Sequence, residues 1–194
     1  GVDSEISIKN LELSESFKVI DIKSFNINYE NNNKIFNNIK LKKKNSNFII
    51  EGENFDASKI IDNFMDNEEK NLSIFDNLNS MINIKIDKTY IDKTNYINNL
   101  YGNVKYNNNK IANLKLKSTF PNKKKINLSI ETKDNSETIT KLFSAHPKPL
   151  VKRYNFIKGF EEGTLDFYSS KKGDLSNSVL VIDDFKVKEV PIFA

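Results

Sequence analysis

Few residues of this chain could take part in chemistry, and His146 is the first of them. It is the one histidine among 194 residues and there is no cysteine, so a Ser-His-Asp site would depend on His146 alone. A metal site would need ligands that are almost all carboxylates. Because His146 precedes Pro147 at the start of an expected helix, its position is typical of a loop or capping residue.

Two pairs of neighbouring acids are the other candidates. Glu161 and Glu162 precede Gly163, as is usual in a polar turn, and Asp183-Asp184 interrupts an alternating strand pattern. Neither "KKGD" at 171–174 nor Asp183-Asp184 has the spacing of an EF-hand loop, and the six glycines form neither a GxGxxG pattern nor a P-loop. The sequence therefore predicts no enzyme, no metal site and no cofactor.

The charge is modestly basic, with a formal net charge of +4 and a pI near 9.0. Almost all of the excess is lysine, in runs at 40–44, 122–125 and 171–172 where turns are expected, and Arg153 is the only arginine. Since arginine is the usual bidentate reader of bases and phosphates, the composition argues against a nucleic-acid partner. No apolar run approaches the roughly 18 residues of a membrane span, so we expect any anchor or export signal to lie outside this sequence.

The elements that would position a site are predominantly strands. Apolar and polar residues alternate most clearly from residue 82 to residue 130, with polar turn sequences at 107–110 and 121–124. The apolar positions predicted to share one face are Ile82, Ile84, Ile86, Leu100, Val104, Leu114, Leu116, Ile126, Leu128 and Ile130. About ten such strands predict a mainly β fold with two or three short amphipathic helices, in which the long antiparallel strands form a curved sheet or split into two sheets.

Two stretches have helical periodicity instead. The first begins after Asp56, a candidate N-cap, and the second ends at Gly159. The predicted apolar helix faces consist of Ala57, Ile60, Ile61 and Phe64 in the first helix, and of Leu150, Val151, Tyr154 and Ile157 in the second.

Two strands change parity along their length. The apolar positions move from Ile20 and Ile22 to Phe25, which indicates a β-bulge. A similar change across Asp183-Asp184 predicts one extra residue in a long, bent strand that continues to Val187.

The chain is expected to be one β-rich unit over 1–194 and a fragment of a longer protein. N-terminal strands cover 1–55, a helical connection covers 56–81, and a β-meander with a helix near 147–158 covers 82–194. The stretch 71–81 fits either a loop or a helical turn, whereas 136–143 is rich in threonine and favours a strand.

Four stretches in order resemble the AsmA-like family, the group that includes AsmA, TamB and YhdP. They are "GENFDASKII", "INIKIDKTYI" followed by "LYGNVKYNNNKIANLKLKSTF", "SAHPKPLVKRYNFIKGFEEGTLDFYSS", and "LVIDDFKVKEVPIFA". The resemblance covers roughly residues 48–194 and is to the C-terminal region of YhdP-type members. Its motifs are structural, not catalytic.

The resemblance implies that the curved sheet is an open groove (half-barrel). It also implies a segment of a periplasm-spanning protein, anchored in the inner membrane of a Gram-negative bacterium, that carries phospholipid acyl chains along this apolar β-groove. Phospholipid, the membranes at the ends of the parent chain and envelope proteins would be its partners, and the ten apolar residues would contact lipid. An alternative is a structural or protein-binding β module of the envelope without lipid transport. Without the resemblance, the residues favour a different arrangement, in which the same side chains form the dry core of a sandwich or closed barrel.

Overall fold

The computed structural model of the chain describes residues 4–65, 75–134, 136–153 and 157–188. Eleven strands form one mixed sheet that does not close into a barrel, and the described residues include two short helices. The predicted fold class, a mainly β protein with a curved sheet or groove, is therefore confirmed.

The elements follow one another along the chain. The first four strands are β1 (Glu5–Leu13), β2 (Val19–Glu30), β3 (Phe36–Lys44) and β4 (Asn47–Asp56), and helix α1 (Ser58–Met65) follows. The next five strands are β5 (Ser80–Tyr90), β6 (Tyr96–Asn107), β7 (Lys110–Thr119), β8 (Lys125–Thr132) and β9 (Thr138–Ser144). Helix α2 (Lys148–Arg153) precedes the last two strands, β10 (Thr164–Lys172) and β11 (Leu175–Asp183).

The strands lie in the sheet in the same order as in the sequence, from β1 at one edge to β11 at the other. Nine of the ten neighbouring pairs are antiparallel, as alternation and short polar turns predict. The exception is the parallel pair β4 and β5, which corrects the expectation of antiparallel strands throughout. A parallel pair needs a long crossover, and the segment 57–79 with α1 provides it.

Left-handed residues inside two strands accompany changes in which side chains face the core. Ile22 and Phe25 pack in the same cluster although they differ in parity. The predicted β-bulge between them is not seen, because β1 and β2 keep one register across this stretch and shift only beyond Glu12. Asn10, on the paired strand β1, has a φ of 49°, and Asn99 in β6 has a φ of 54°. Asparagine tolerates this left-handed conformation better than most residues, which allows a parity change inside a strand.

Both helices pack at the strand ends, against buried side chains. Asp56 Oδ1 accepts a hydrogen bond of 2.9 Å from the Ser58 N–H at the start of α1, as predicted for a cap. Ile61 packs on the cluster of Ile91, Ile97 and Phe120, but Ile60 is 60% exposed, so its place on the buried helix face was wrongly predicted. The side chain of Phe64 lies outside the described residues.

Helix α2 is shorter than predicted, and Tyr154 lies outside the described residues. Leu150 packs on the same cluster as Ile61, whereas Val151 is fully buried with Phe160 and Leu165. Ile157 lies after the helix and packs on that second cluster. The helix therefore joins two parts of the core.

The C-terminal stretch does not form one continuous bent strand. Strand β11 ends at Asp183, and Asp184 has a φ of 52°. Among the described residues beyond Asp184, Val187 forms an isolated antiparallel bridge with Phe160, which precedes β10. At Asp184 the left-handed backbone coincides with the end of the ladder, so the extra residue ends this strand instead of bending it.

The lysine run at 40–44 lies within β3, which corrects its expected placement in a turn. Among the described residues, neither helix is long and apolar enough to span a membrane.

Candidate apolar binding face

One row of paired residues crosses all eleven strands and contains no polar side chain. Each member pairs with the next across the sheet, so all of them point to the same face. We call this set the central apolar row: Ile8, Phe25, Leu41, Ile50, Ile84, Gly102, Leu116, Leu128, Leu142, Phe167 and Leu180. With strands about 4.8 Å apart, the row extends roughly 48 Å from edge to edge.

The ten residues predicted to share a face do share it, and three of them belong to the central apolar row. Ile82, Val104, Leu114 and Ile130 form a second row beside it, through direct cross-strand pairing. Ile86 pairs with Leu100 on the other side of the row, and Ile126 pairs with Ser118. We call the side that carries these rows the apolar face.

Burial differs between the middle and the two sides of this face. Val104 is 5% exposed and Ile130 is 4% exposed, and Phe75 and Leu78 pack on the cluster to which Val104 belongs. Along the central row, by contrast, every residue from Phe25 to Phe167 is half-buried. Six members of the row pack on buried clusters while part of each side chain stays accessible: Phe25, Leu41, Ile50, Ile84, Leu142 and Phe167.

The row is open at both edges of the sheet. Ile8 on β1 is 47% exposed and Leu180 on β11 is 42% exposed. Strand β1 has no partner on one side, and neither has β11, within the part of the chain that the structure describes. A hydrocarbon lying along the row would therefore not meet a closed end at either edge strand.

The opposite side of the sheet, which we call the polar face, has a different chemistry. The two rows next to the central one contain the lysines Lys9, Lys40, Lys42, Lys85, Lys115, Lys117 and Lys141. They contain only two carboxylates, Glu51 and Asp166. These two rows of the polar face therefore carry a net positive charge, on the side that alternation places opposite the apolar face.

The helices pack at one end of the strands, and Leu142 and Phe167 of the central row pack on the cluster that contains Val151 of α2. Arg153 in α2 donates hydrogen bonds to the backbone carbonyls of Ile91 and Ser58, the latter at 2.9 Å, and to the carboxylate of Asp62. It therefore ties α2 to α1 and to the end of β5. Leu116 and Leu128 lie between the two clusters along β7 and β8, away from the residues that the helices contact.

His146 has a structural environment. Its ring meets Phe120 edge to face with centroids 5.1 Å apart, and its backbone N–H donates to Ser144 Oγ at 3.3 Å. It lines a cavity of about 210 Å³ with Phe120 and Pro149. Burial lowers the pKa of His146, and the charges of Lys124 and Lys148 lower it further, so neutral imidazole is favoured.

The acidic pair at 161–162 fastens the C-terminal stretch. Glu161 forms ion pairs with Lys148 at 2.7 Å and with Lys188 at 3.5 Å, and Glu162 pairs with Lys186 at 2.9 Å. The hydrogen bond from Lys148 holds the pKa of Glu161 below its usual value. Within the described ranges, no group of three histidines or acids is arranged to hold a metal ion.

Sequence reasoning missed part of this face. The register of β4, β9 and β10 places four further residues in the rows of the apolar face. They are Phe48, Ile50, Leu142 and Phe167. Alternation in the sequence could identify these strands, but it does not show which residues of different strands lie side by side, because that depends on how the strands pair. In the buried set of Ile91, Ile97 and Phe120, Ile97 differs in parity from Leu100, with the left-handed Asn99 between them. Ile91 likewise differs in parity from Ile86, and this spacing in the sequence could have indicated the buried set.

Comparison of the chain with models of known protein families, with curated proteins and with solved structures gives no match. What this face can do therefore follows from its own geometry and chemistry.

Proposed function

We propose that this chain binds phospholipid acyl chains along its apolar face and forms a segment of a lipid-transfer path between the two membranes of a Gram-negative envelope. The observation that carries the proposal is the central apolar row, which crosses every strand, is half-buried along its middle and opens at both edges. The resemblance to the AsmA-like family suggests phospholipid as the cargo and the periplasm as the location.

The energetic argument concerns hydrocarbon in water. Two acyl chains of about fifteen carbons expose surface worth roughly 24 kcal/mol, at about 0.8 kcal/mol per methylene, so crossing an aqueous space unaided is negligible. Contact with leucine, isoleucine and phenylalanine side chains offsets much of this energy. Because hydrophobic contact is non-directional, a chain can slide along the row without breaking specific bonds.

Head groups need no dedicated pocket in this arrangement. They stay in water outside the row, so no head-group charge is buried and the protein has to pair none. A non-enzymatic role is in keeping with a cargo that is moved and not transformed.

The test is recovery of lipid with the purified protein. The chain is expressed in a Gram-negative host, purified without detergent and analysed by mass spectrometry for bound phospholipid. We expect the wild type to carry phospholipid and Leu116→Ser/Leu128→Ser to lose most of it while remaining folded, because these side chains are half-buried and lie between the sealed clusters.

The matched control is a pair from the neighbouring row, Val104→Ser/Ile130→Ser. Both side chains are buried, so this variant should lose several kcal/mol of stability by the loss of packing and the burial of two hydroxyls. A lipid-free wild type, or equal destabilisation by both variants, would show that the face is an ordinary core.

A second candidate is an envelope module that pairs edge to edge without carrying lipid. The two unpaired edge strands favour it, since an exposed ladder of N–H and C=O groups accepts a further strand. Lipid recovery separates the two functions, because edge pairing does not require a half-buried row.

A further inference from the structure

We propose that part of the polar face, over strands β7 to β11, docks on the surface of an anionic lipid bilayer. The docking surface consists of Lys115, Lys117, Lys141, Tyr168, Val179 and Val181. These residues lie on the side opposite the apolar face, so the inference does not rest on acyl-chain binding.

Pairing places these residues in two adjacent rows. One row runs from Lys115 through Ser129 and Lys141 to Tyr168 and Val179. The other runs from Lys117 through Asn127 and Phe143 to Asp166 and Val181. Five strands at about 4.8 Å and two rows about 7 Å apart give a patch roughly 19 Å long.

The three lysines are available to an external anion. Lys115, Lys117 and Lys141 are exposed, and none of them forms an ion pair with a described residue. Asp166 is the single carboxylate in these two rows between β7 and β11, and Glu131 lies in the next row. The patch therefore has a net positive charge.

The β11 side of the patch adds exposed hydrocarbon. Val179 is 57% exposed and Val181 is 43% exposed, beside Tyr168 on β10 at 41%. The other side of β11 carries Leu180 and Ile182, so the strand is apolar on both faces while lying at an edge. Single exposed apolar residues need no explanation, but three adjoining ones next to unpaired lysines form an amphipathic surface.

An anionic bilayer surface fits both halves of this patch. Lysines near such a surface are attracted to acidic head groups, and short apolar side chains enter the boundary between head groups and acyl chains. Tyrosine is enriched at that boundary. A nucleic acid fits less well, because it offers nothing for the valines, and the only arginine, Arg153, is engaged between the helices.

The experiment measures flotation of the full 194-residue chain with vesicles. One set contains about 30% phosphatidylglycerol in phosphatidylcholine, and the other contains phosphatidylcholine alone. We expect binding to the anionic vesicles that weakens as salt rises, because screening acts on exposed charges. Removing three lysines in Lys115→Gln/Lys117→Gln/Lys141→Gln should weaken binding on the order of 100-fold.

A control variant has the same change of charge on the same face. Lys40→Gln/Lys42→Gln/Lys85→Gln removes three exposed lysines over β3 to β5, outside the patch. It should reduce binding only a few-fold. A third variant, Val179→Ser/Val181→Ser, should weaken binding roughly tenfold while leaving the salt dependence unchanged, since it removes apolar insertion and no charge.

Several results would overturn the proposal. One is binding to uncharged vesicles that is as strong as binding to anionic ones. A second is an equal loss of vesicle binding in the two lysine variants. The third is displacement of the vesicles by a DNA oligonucleotide together with no effect of the valine variant. Leu116→Ser/Leu128→Ser should leave flotation unchanged, so failure of docking and failure of acyl-chain binding are distinguishable.

Discussion

At the scale of single residues, Gly102 explains how the central apolar row crosses β6. It is the row's only member without a side chain, and it has a φ of 154°. A Cβ built there would lie 1.9 Å from the backbone oxygen of Lys115 on β7. Backbone cannot move aside as a flexible side chain can, so β6 and β7 approach closely only because this position is glycine.

Gly102→Ala is therefore expected to destabilise the fold by about 3 kcal/mol, through the steric collision and the backbone strain together. The measurement is the free energy of unfolding from urea titrations. Gly173→Ala is the matched control: its φ is 57°, but no atom lies within 4 Å of the added Cβ, so about 1 kcal/mol is expected. Equal losses in the two variants would refute the close-contact explanation.

His146 should make stability depend on pH in a defined window. Its pKa is lowered in the folded state by burial and by Lys124 and Lys148, so the unfolded chain binds the proton more tightly. The contribution of neutral His146 to the free energy of unfolding is complete above a pH of about 6.5. It is lost as the pH falls towards the lower pKa of the folded state.

We expect wild type to lose stability between pH 7.5 and pH 5.5, and His146→Gln to lose less over the same interval. Urea midpoints at the two pH values provide the measurement. The lowered pKa values of Asp21, Asp56 and Asp92 affect stability only in more acidic solution, below this window. The same pH response in both proteins would contradict the assignment to His146.

At the scale of elements, the two helices act as a pair because Arg153 joins them. Its side chain is 12% exposed and donates to two backbone carbonyls and to Asp62. Losing the donor leaves those carbonyls without their partner near the cluster of Ile91, Ile97 and Phe120. An unsatisfied buried acceptor costs about 1–3 kcal/mol.

Arg153→Met should accordingly lower the free energy of unfolding by about 3 kcal/mol. Lys152→Met is the control, since Lys152 is the exposed neighbour on the same helix, and it should change stability by less than about 0.5 kcal/mol. Chemical denaturation of both variants checks the difference. A small effect of Arg153→Met would mean that apolar packing alone holds the helices in place.

Elements were predictable from sequence where local periodicity determined them. Alternation at Ile82, Ile84 and Ile86 identified a strand and its apolar face, and Asp56 was recognised as a cap. The parallel pairing of β4 with β5 was not predictable from the sequence. It depends on the end of the strands to which the chain returns after α1 before β5 begins. The end of β11 depends on the left-handed backbone of Asp184, which two adjacent aspartates do not specify.

At the scale of the whole molecule, continuity of the apolar row is a property of register. A shift of one residue in any pairing would move the apolar side chains of that strand to the polar face. Alternation predicts a row only within a strand, whereas the match of Leu116 to Leu128 and onward to Leu142 depends on turn lengths and bulges. For this reason the predicted ten residues share a face, while the full extent of the row became visible only in the structure.

The same topology predicts a gradient of stability across the sheet. Within the described ranges each strand pairs only with its sequence neighbours, so β1 and β11 have one partner there and every inner strand has two. Opening at an edge breaks one ladder, whereas opening β6 breaks two and uncovers the buried Val104 and Ile97. Local openings therefore require less free energy at the edges than in the middle.

Amide hydrogen exchange followed by mass spectrometry should show this gradient directly. We expect amides in β5 to β8 to exchange at least about 100-fold more slowly than those in β1 and β11, because the inner strands open only with most of the sheet. Val104→Ala should speed exchange throughout the centre and leave the rates of β1 nearly unchanged, since those amides already exchange through edge opening. Uniform protection from β1 to β11 would contradict this, because it would require both edges to be covered by something other than the described strands.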